Sequence, residues 1–332
     1  MDSRCQLQKK ALMKFGECDL NNNITRYNKM FKNELKKFVE DNPKLVTMRE
    51  SESHPGLYVL KYKKRVFYDA LWNDYLEECR GTIVDKDFNV IARPFTKIYN
   101  FGIEAKAPVL STDTPVTAYR KVNGFMCSLT WYNNDILVST TGSTDSDFVN
   151  YAKEMMVKHA KWEDWVLAIG SNAGHTFMFE CVHPSDPHIV PESAGMYFLG
   201  WRENTWSSKV NGFGSEVIWK MFAEDTLKCR SVESFHYTIG GLVAESKKVK
   251  HEGFVAYTQD GQAFKIKSPY YLTAKWVARN PRTNKLLTKE FKEQIDEEYY
   301  GLLAHIRDNI EPYTLLSEQE RLAWVRNYLE TA

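Results

Sequence analysis

The run Ala118-Tyr119-Arg120-Lys121-Val122-Asn123-Gly124 contains a lysine placed for chemistry. The aromatic and β-branched residues before Lys121 favour a strand, and the Asn-Gly pair that follows favours a tight turn. Lys121 is therefore predicted at a strand edge with its amine facing a cleft, while Gly124 lets the backbone approach a ligand closely. A lysine amine in this position can attack the α-phosphate of a nucleotide and hold the nucleotide as a phosphoramidate. The pattern alone is weakly specific, because lysine also precedes Asn-Gly in ordinary hairpins.

Further fragments place charged residues within apolar, strand-like sequence. Alternation such as Phe264-Lys265-Ile266-Lys267 is also typical of a half-exposed strand with its lysines on the solvent face. Glu180 is harder to explain as ordinary packing, because an isolated buried carboxylate needs a partner or a ligand. A nucleoside triphosphate would use all of these charges, the cations for phosphates and the carboxylates for ribose hydroxyls and metal. The fragments are Glu78-Cys79-Arg80-Gly81, Arg93–Phe101, Phe177–Val182, Glu252–Ala256 and Phe264–Ser268.

The elements that must position these fragments follow from periodicity and turn signals. Helices are predicted over residues 31–40 and 147–169, and the chain after Ser268 is predicted to be mostly helical. Strands are predicted at residues 56–67, 82–84, 89–91, 127–131, 136–139, 176–182, 196–201, 253–257 and 263–266. The pattern predicts an α+β fold, with a sheet domain over residues 1–268 and a small helical C-terminal domain over residues 269–332.

Composition limits the function classes. The chain has 332 residues, of which 43% are hydrophobic, so it can bury a full core. Its formal net charge is +1, so any nucleic-acid site must be a local cluster of cations. The 6 cysteines form no Cys-x-x-Cys pair and are interpreted as reduced thiols. The N-terminus lacks the apolar core of a signal peptide and no stretch approaches membrane-spanning length, so we expect a cytoplasmic protein with no membrane partner.

Taken in order, the fragments resemble the bacteriophage-type ATP-dependent RNA ligase 1 family of the covalent nucleotidyltransferase superfamily. An Arg-Gly pair before the nucleophilic lysine is especially diagnostic, because DNA ligases and capping enzymes place theirs after it. The likeness runs from about Tyr58 to Tyr271. The matching fragments are Glu78-Cys79-Arg80-Gly81, Arg93-Pro94-x-x-Lys97, Lys121-Val122-Asn123-Gly124 (motif I), Phe179-Glu180 (motif III), Met196–Arg202 (motif IIIa), Glu252-Gly253 (motif IV) and Lys265-Ile266-Lys267 (motif V).

The resemblance implies a nucleotidyltransferase (ATP-grasp-like ligase) domain of antiparallel sheets with flanking helices, and it implies roles for these residues. Lys121 is the expected site of adenylylation, Glu180 contacts the ribose hydroxyls, and Glu252 is the carboxylate nearest the metal. The implied ATP-binding residues are Tyr62, Arg80, Lys97, Asn123, Gly124, Glu180, Glu252, Lys265 and Lys267. Lysine has an ordinary pKa of about 10.4. We expect the cations Arg80, Lys97, Lys265 and Lys267, together with desolvation, to favour the neutral amine of Lys121.

The implied activity is ATP-dependent joining of RNA 5′-phosphate and 3′-hydroxyl ends, in RNA or tRNA repair, with Mg²⁺ as the cofactor and Mn²⁺ as a substitute. We expect a monomer, acting in the host cytoplasm if the gene is phage-encoded. The alternatives are a nucleotidyltransferase acting on DNA ends or caps, and a non-catalytic RNA-end-binding protein. The intact lysine, carboxylates and motif V lysines argue against the second alternative.

The sequence departs from the family pattern in two places. Residues 139–143, Ser-Thr-Thr-Gly-Ser, stand where the family usually carries a basic residue in motif Ia. The tail after Ser268 is short for the tRNA-repair members. From the sequence we expect truncation after about Tyr271 to spare part of the self-adenylation and to reduce joining of structured RNA.

Overall fold

The computed structural model describes residues 28–206, 221, 223–280 and 282–331. The described residues form two compact units, and the chain passes between them several times. The first unit takes residues 28–97, 126–179 and 200–206, and the second takes residues 98–125, 180–199 and the described residues from 221 onward.

One sheet of the first unit is an antiparallel array of 4 strands in the order β1-β2-β3-β4. The helix over residues 28–41 packs on this sheet through Phe31, Leu35 and Val39, in agreement with the predicted helical spacing. The predicted strand over residues 56–67 ends at Tyr62, because residues 64–68 turn into a short helix. The strands are Val46–Glu50 (β1), Leu57–Tyr62 (β2), Arg80–Asp85 (β3) and Val90–Ala92 (β4), and the short helices are Lys64–Tyr68 and Asp74–Glu78.

A second sheet of 4 strands has the order β10-β9-β7-β8. The strands predicted over residues 127–131 and 136–139 are present and pair as a hairpin. Asn133 and Asn134 in its turn have φ values of 50° and 61°, the left-handed backbone that tight hairpins favour. The predicted helix over residues 147–169 is divided in two, because Ala160 and Lys161 are extended. The elements are Phe125–Tyr132 (β7), Asp135–Thr140 (β8), His175–Val182 (β9) and Gly195–Glu203 (β10), with the helices Asp147–His159 and Trp162–Gly170.

The second unit contains a sheet of 5 strands in the order β11-β6-β12-β13-β5. All pairs are antiparallel except β13 with β5. Val116, Ala118, Phe254 and Phe264 form its core together with Leu242. The elements are Tyr99–Asn100 (β5), Pro115–Arg120 (β6), Ser234–Thr238 (β11), Gly253–Thr258 (β12) and Ala263–Lys267 (β13), with the helix Ile239–Ser246.

The chain after Ser268 is helical, as predicted. Ser268 caps the first helix by accepting from the backbone N–H of Tyr271, and Pro269 occupies the first turn, where a missing N–H costs nothing. Ile189 and Val190 are buried in the core of these helices, so this helical module packs onto the chain segment 188–190 within the same compact unit. The elements are Pro269–Ala278, Lys289–Lys292, Tyr300–Asp308, Ile310–Leu315 and Glu318–Thr331, with 3₁₀ turns at Thr283–Leu287 and Glu297–Tyr299.

Strands β1 and β11 were not predicted from the sequence. Only Val46 of β1 is buried, and β11 alternates between half-buried and exposed residues without a fully buried position. Each strand is 5 residues long, which is a weak periodic signal even where apolar and polar residues alternate, as they do at Phe235 and Tyr237 of β11. Across the ranges that the structure describes, we find no helix with the length and apolar character needed to cross a membrane.

Candidate active site

Lys121 follows the last residue of β6 and stays hydrogen bonded to the neighbouring strand. Its backbone N–H donates to the carbonyl of Gly253, at 2.8 Å. Its Nζ lies 3.0 Å from Oε2 of Glu252, at the beginning of β12. The predicted placement of Lys121 at a strand end is therefore observed, and the carboxylate of motif IV lies within hydrogen-bond distance of the amine.

Glu252 is the centre of the charge arrangement. Oε1 lies 3.1 Å from Nζ of Lys267, and Oε2 accepts from Nδ2 of Asn123 at 2.8 Å as well as from Lys121. Only 3% of the residue is exposed. Burial by itself would raise the pKa of Glu252, but Lys121 and Lys267 lower it to about 2. Glu252 is therefore ionised at neutral pH and is shared by both lysines.

The pKa of Lys121 is shifted in the direction opposite to the one expected from the sequence. Burial alone would lower this pKa, but the carboxylates of Glu252 and Glu180 hold it above its usual range. The prediction that neighbouring cations favour the neutral amine is wrong for this arrangement. The structure holds Lys121 as an ammonium, and its proton must leave before the amine can act as a nucleophile.

Glu180 and Gly124 shape the turn that follows Lys121. Oε1 of Glu180, on β9, accepts from the backbone N–H of Gly124 at 3.1 Å, so the buried carboxylate has the partner that its burial requires. A Cβ at Gly124 would lie 2.3 Å from the carbonyl oxygen of Cys181. Only glycine fits this close approach between the turn and β9. Glu180 thus lies where a ligand held by the turn would meet it.

The segment 190–192 holds the residues on either side of Lys121. The backbone N–H of Val190 donates to Oδ1 of Asn123 at 2.9 Å. Glu192 pairs with Arg120, with 2.8 Å between Oε2 and Nη2, and burial raises the pKa of its carboxyl. Glu192 is not predicted from the sequence, because it lies in a loop without periodicity and its partners are distant along the chain.

Lys265 and Lys267 alternate along β13 and therefore share one face of the strand. Nζ of Lys267 lies 4.7 Å from the ring centroid of Tyr271, in addition to its contact with Glu252. Lys265 is half-buried, and its carbonyl accepts from the backbone N–H of Phe101 at 2.9 Å. Burial and the nearby Glu252 raise the pKa of Tyr271 to about 12, so its hydroxyl stays protonated. Tyr271 is a site residue that sequence analysis did not select.

Three of the predicted ATP-binding residues belong to the first unit: Tyr62, Arg80 and Lys97. The ring of Tyr62 packs edge-on against Trp72 at 4.8 Å. Nζ of Lys97 lies 5.0 Å from the Trp72 centroid and 5.6 Å from that of Phe67, so its charge faces two aromatic rings. Lys97 and Tyr62 therefore share the indole of Trp72. Arg80 begins β3.

Arg80 has a basic neighbour across the sheet. It lies opposite Lys61 of β2, beside a bulge in the pairing. The side chain of Lys61 extends over the loop after β8, where a Cβ at Gly142 would lie 2.6 Å from Nζ of Lys61. This loop is the segment that lacks the basic residue expected in motif Ia. Lys61 thus places a positive charge beside a loop that contains no basic residue.

Glu78 and Arg93, from two of the family-like fragments, form a buried ion network instead of a ligand site. Glu78 accepts from Arg93 at 2.7 Å and 3.1 Å, and from Arg202 at 3.0 Å through each of its oxygens. Burial alone would raise the pKa of Glu78, but both guanidinium groups hold it below its usual range. The network joins the segment before β3, the segment after β4 and the end of β10.

The side chains of the described residues do not by themselves form a complete metal-binding site. Throughout the described ranges, no group of three or more His, Cys, Asp or Glu side chains is arranged to hold a metal ion. The Glu252 oxygens already contact Lys121, Lys267 and Asn123. A divalent cation beside Glu252 would therefore need phosphate and water as its other ligands.

Lys121 therefore lies beside the buried Glu252 and next to a turn that only glycine fits, on a sheet whose strands are mostly antiparallel. A family model described as RNA ligase, of the T4 RNA ligase 1 type, matches residues 78–271. This match covers more than half of the chain, and the chain belongs to this RNA ligase family. The family prediction made from the motif order is confirmed.

Relatives support the family and the fold to different extents. An RNA ligase of Rhodothermus phage RM378 is 26% identical over 183 residues, which cover 44% of this chain and 41% of the phage protein. The chain thus spans about two-fifths of the length of that relative.

Two solved structures resemble the fold. A putative ATP-dependent DNA ligase from Aquifex aeolicus has a TM-score of 0.52 and 18% identity, covering 88% of this chain and 75% of that one. An archaeal ATP-dependent RNA ligase has a TM-score of 0.51 and 15% identity, covering 89% and 75%. Identities this low show the fold alone, and the predicted α+β ligase fold is confirmed.

Proposed function

We propose that this chain is an ATP-dependent RNA ligase that forms a lysyl-AMP intermediate on Lys121. The observation that carries the proposal is the pairing of Lys121 with Glu252 beside the Glu180–Gly124 hydrogen bond, in a chain of the RNA ligase family. This arrangement supplies a nucleophile, a carboxylate that can accept from ribose hydroxyls, and a backbone turn open to close approach.

In the first step, deprotonated Nζ of Lys121 attacks the α-phosphorus of ATP. A P–N bond forms, the bond between the α-phosphorus and the bridging oxygen breaks, and pyrophosphate leaves with that electron pair. The attacking nitrogen gives up one proton to water as the phosphoramidate forms. Lys267 and Lys265 offset negative charge on the phosphates, and Arg80 and Lys97 are proposed phosphate contacts on the basis of the family resemblance. We further propose that Lys61 supplies the charge absent from the loop at Gly142. Asn123 and Tyr62 are proposed nucleotide contacts.

Glu252 would be the protein carboxylate that holds a divalent cation, Mg²⁺ or Mn²⁺ in its place, and the cation would neutralise charge on the phosphates. In the following steps, AMP passes from Lys121 to an RNA 5′-phosphate, and a 3′-hydroxyl attacks that phosphate and releases AMP. The bond that forms joins the two RNA ends. A monomer in the cytoplasm, acting in RNA repair, is the corresponding biological proposal.

The proposal is tested by incubating the protein with α-³²P-ATP and Mg²⁺ and analysing it under denaturing conditions. We expect a labelled band from ATP, none from GTP, and none from Lys121→Ala. The matched control Lys289→Ala changes an exposed lysine that pairs with Glu293 and should label normally. Retention of label by Lys121→Ala would reject the assignment of the nucleophile.

The same assay separates the alternatives. Labelling by GTP would favour a capping enzyme, and transfer of AMP to DNA ends but not RNA ends would favour a DNA ligase. A wild-type protein that binds RNA ends without ever becoming labelled would be the non-catalytic RNA-end-binding protein.

A further inference from the structure

The helical module carries a cavity that the proposed adenylylation chemistry does not use. Its volume is about 690 Å³, and it is lined by the helix Pro269–Ala278, the residues that follow it and the helix Lys289–Lys292. The side chains that matter for its chemistry are Lys275, Trp276, Arg279, Lys285, Glu290 and Phe291. We call this cavity the tail groove.

The charge of the tail groove is positive. Three cations line it, Lys275, Arg279 and Lys285, and the carboxylate in its lining is Glu290. Burial, Lys267 and Arg279 lower the pKa of Lys275, so these cations crowd one another. Arg279 also pairs with Glu318 at 3.1 Å, but both side chains are largely exposed and such a pair contributes little. A polyanion would relieve the repulsion among these cations.

The tail groove also offers aromatic surface. Trp276 is 39% exposed although it is one of the largest apolar side chains of the module. Phe291 lines the groove as well and is half-buried. Cations interleaved with an accessible aromatic face are typical of sites for single-stranded nucleic acid, where phosphates meet the cations and bases stack on the rings. A triphosphate alone would have no use for the aromatic surface.

The tail groove is linked to Lys121 by consecutive contacts. Nζ of Lys275 lies 5.7 Å from the ring centroid of Tyr271, and Nζ of Lys267 lies 4.7 Å from the same ring. Lys267 in turn contacts Glu252, which contacts Lys121. The tail groove and the nucleophile are therefore connected through neighbouring side chains of the same compact unit.

We propose that the tail groove binds a single-stranded segment of the RNA whose 5′-phosphate receives AMP, with backbone phosphates on Lys275, Arg279 and Lys285 and a base stacked on Trp276. This inference rests on the proposed function and adds where the RNA strand that receives AMP is bound.

The test uses the full chain and a short single-stranded 5′-phosphorylated RNA with a 3′ fluorophore, measured by fluorescence anisotropy. We expect Trp276→Ala to weaken RNA binding by about 5-fold or more, the range of a lost base–aromatic stack, and Trp276→Phe to restore most of it. Lys285→Glu should weaken RNA binding. It should also reduce the slope of log Kd against log salt concentration by the amount expected for about one phosphate contact. Lys289→Glu, an exposed lysine on the adjoining helix, is the matched control.

Self-adenylation of the same proteins separates this inference from the proposed function. We expect the rate and the KM for ATP to remain within about twofold of wild type in Trp276→Ala and Lys285→Glu, at unchanged Tm. Unchanged RNA affinity in both variants would overturn the inference, as would a raised KM for ATP with normal RNA affinity, because the groove would then serve the triphosphate. A wild-type protein that cannot adenylylate would reject the proposed function, while RNA affinities still test the groove.

Discussion

Arg326, in the helix Glu318–Thr331, donates from Nε to the backbone carbonyl of Ile189 at 2.8 Å. It also donates from Nη2 to the carbonyl of His188. Val190, which follows Ile189, donates from its backbone N–H to Oδ1 of Asn123. Nδ2 of Asn123 in turn donates to Oε2 of Glu252. A continuous path of hydrogen bonds therefore connects the end of the helical module to the turn that carries Lys121.

Because of this path, we expect Arg326→Ala to lower the rate of self-adenylation by about tenfold, which corresponds to ~1.4 kcal/mol. Arg326→Lys should restore part of the rate, since a lysine can reach one carbonyl but not both. If Arg326 acts by positioning, kcat should fall while the KM for ATP changes little. Arg307→Ala is the control, because Arg307 is an exposed arginine paired with Asp308 in the same module. Equal kinetics in Arg326→Ala and Arg307→Ala would show that Arg326 does not position the turn that carries Lys121.

This path reverses the expectation for truncation. A chain ending after Tyr271 would lose Arg326 and would expose Ile189 and Val190, which are now buried. We therefore expect such a truncation to reduce self-adenylation as well as joining, measured on a protein shown to be folded. Full self-adenylation by the truncated chain would contradict the structural argument and support the sequence-based expectation.

The Lys121–Glu252 pair sets the pH dependence of self-adenylation. Glu252 helps to hold the pKa of Lys121 above its usual range, and only the neutral amine attacks, so the rate should rise with pH. In Glu252→Gln the pKa of Lys121 falls, and the rising limb should shift to lower pH even though the maximal rate decreases. Single-turnover labelling across neutral to alkaline pH measures both effects. Glu233→Gln, which changes an exposed carboxylate near Arg120, should leave the rising limb in place.

The same pair affects stability in acid. The pKa of Glu252 is lowered to about 2, so its contribution to stability is present above the unfolded-state pKa and is lost as pH falls towards the folded-state value. The free energy of unfolding should therefore decline more steeply between about pH 5 and pH 3 in wild type than in Glu252→Gln. Denaturant titrations of both proteins over this range measure the difference. Parallel curves would show that the pair does not stabilise the fold.

Gly124 tests the close approach between the nucleophile turn and β9. A methyl group there would lie 2.3 Å from the Cys181 carbonyl, so Gly124→Ala must displace the turn and the Glu180 contact. We expect loss of most self-adenylation and a lower Tm. Gly240→Ala is the matched control, since its added Cβ would meet an ordinary contact at 3.4 Å. Normal labelling by Gly124→Ala would show that the turn moves without cost.

The Glu78 network should matter for stability more than for chemistry. Glu78→Gln leaves the buried guanidinium groups of Arg93 and Arg202 without their counter-charge. Breaking a buried ion pair in this way typically costs ~3–5 kcal/mol. We expect a large drop in the free energy of unfolding, measured with denaturant, and normal labelling per folded molecule. A small change in stability together with a raised KM for ATP would instead indicate a ligand role for Glu78.

The sequence predicts features that depend on local signals. The strand end at Lys121, the turn between the strands over residues 127–131 and 136–139, and the start of the helical chain after Ser268 all follow from neighbouring residue types. Glu192 and Arg326 could not be predicted, because their contacts join segments far apart in the chain. The pKa of Lys121 was predicted in the wrong direction for a related reason, since it depends on which charges lie nearest in space.

The contact of Glu252 with Lys121 has a consequence for the second step of the proposed reaction. Once Lys121 carries AMP, its nitrogen belongs to a phosphoramidate and no longer provides an ammonium ion. Glu252 then retains Lys267 as a counter-ion on Oε1 but loses the cation on Oε2. Only the neutral amide of Asn123 would then remain on Oε2. Loading of the enzyme would in this way raise the negative charge available on Oε2 when the RNA end arrives, so the chemical state of one side chain changes its neighbour before the next substrate binds.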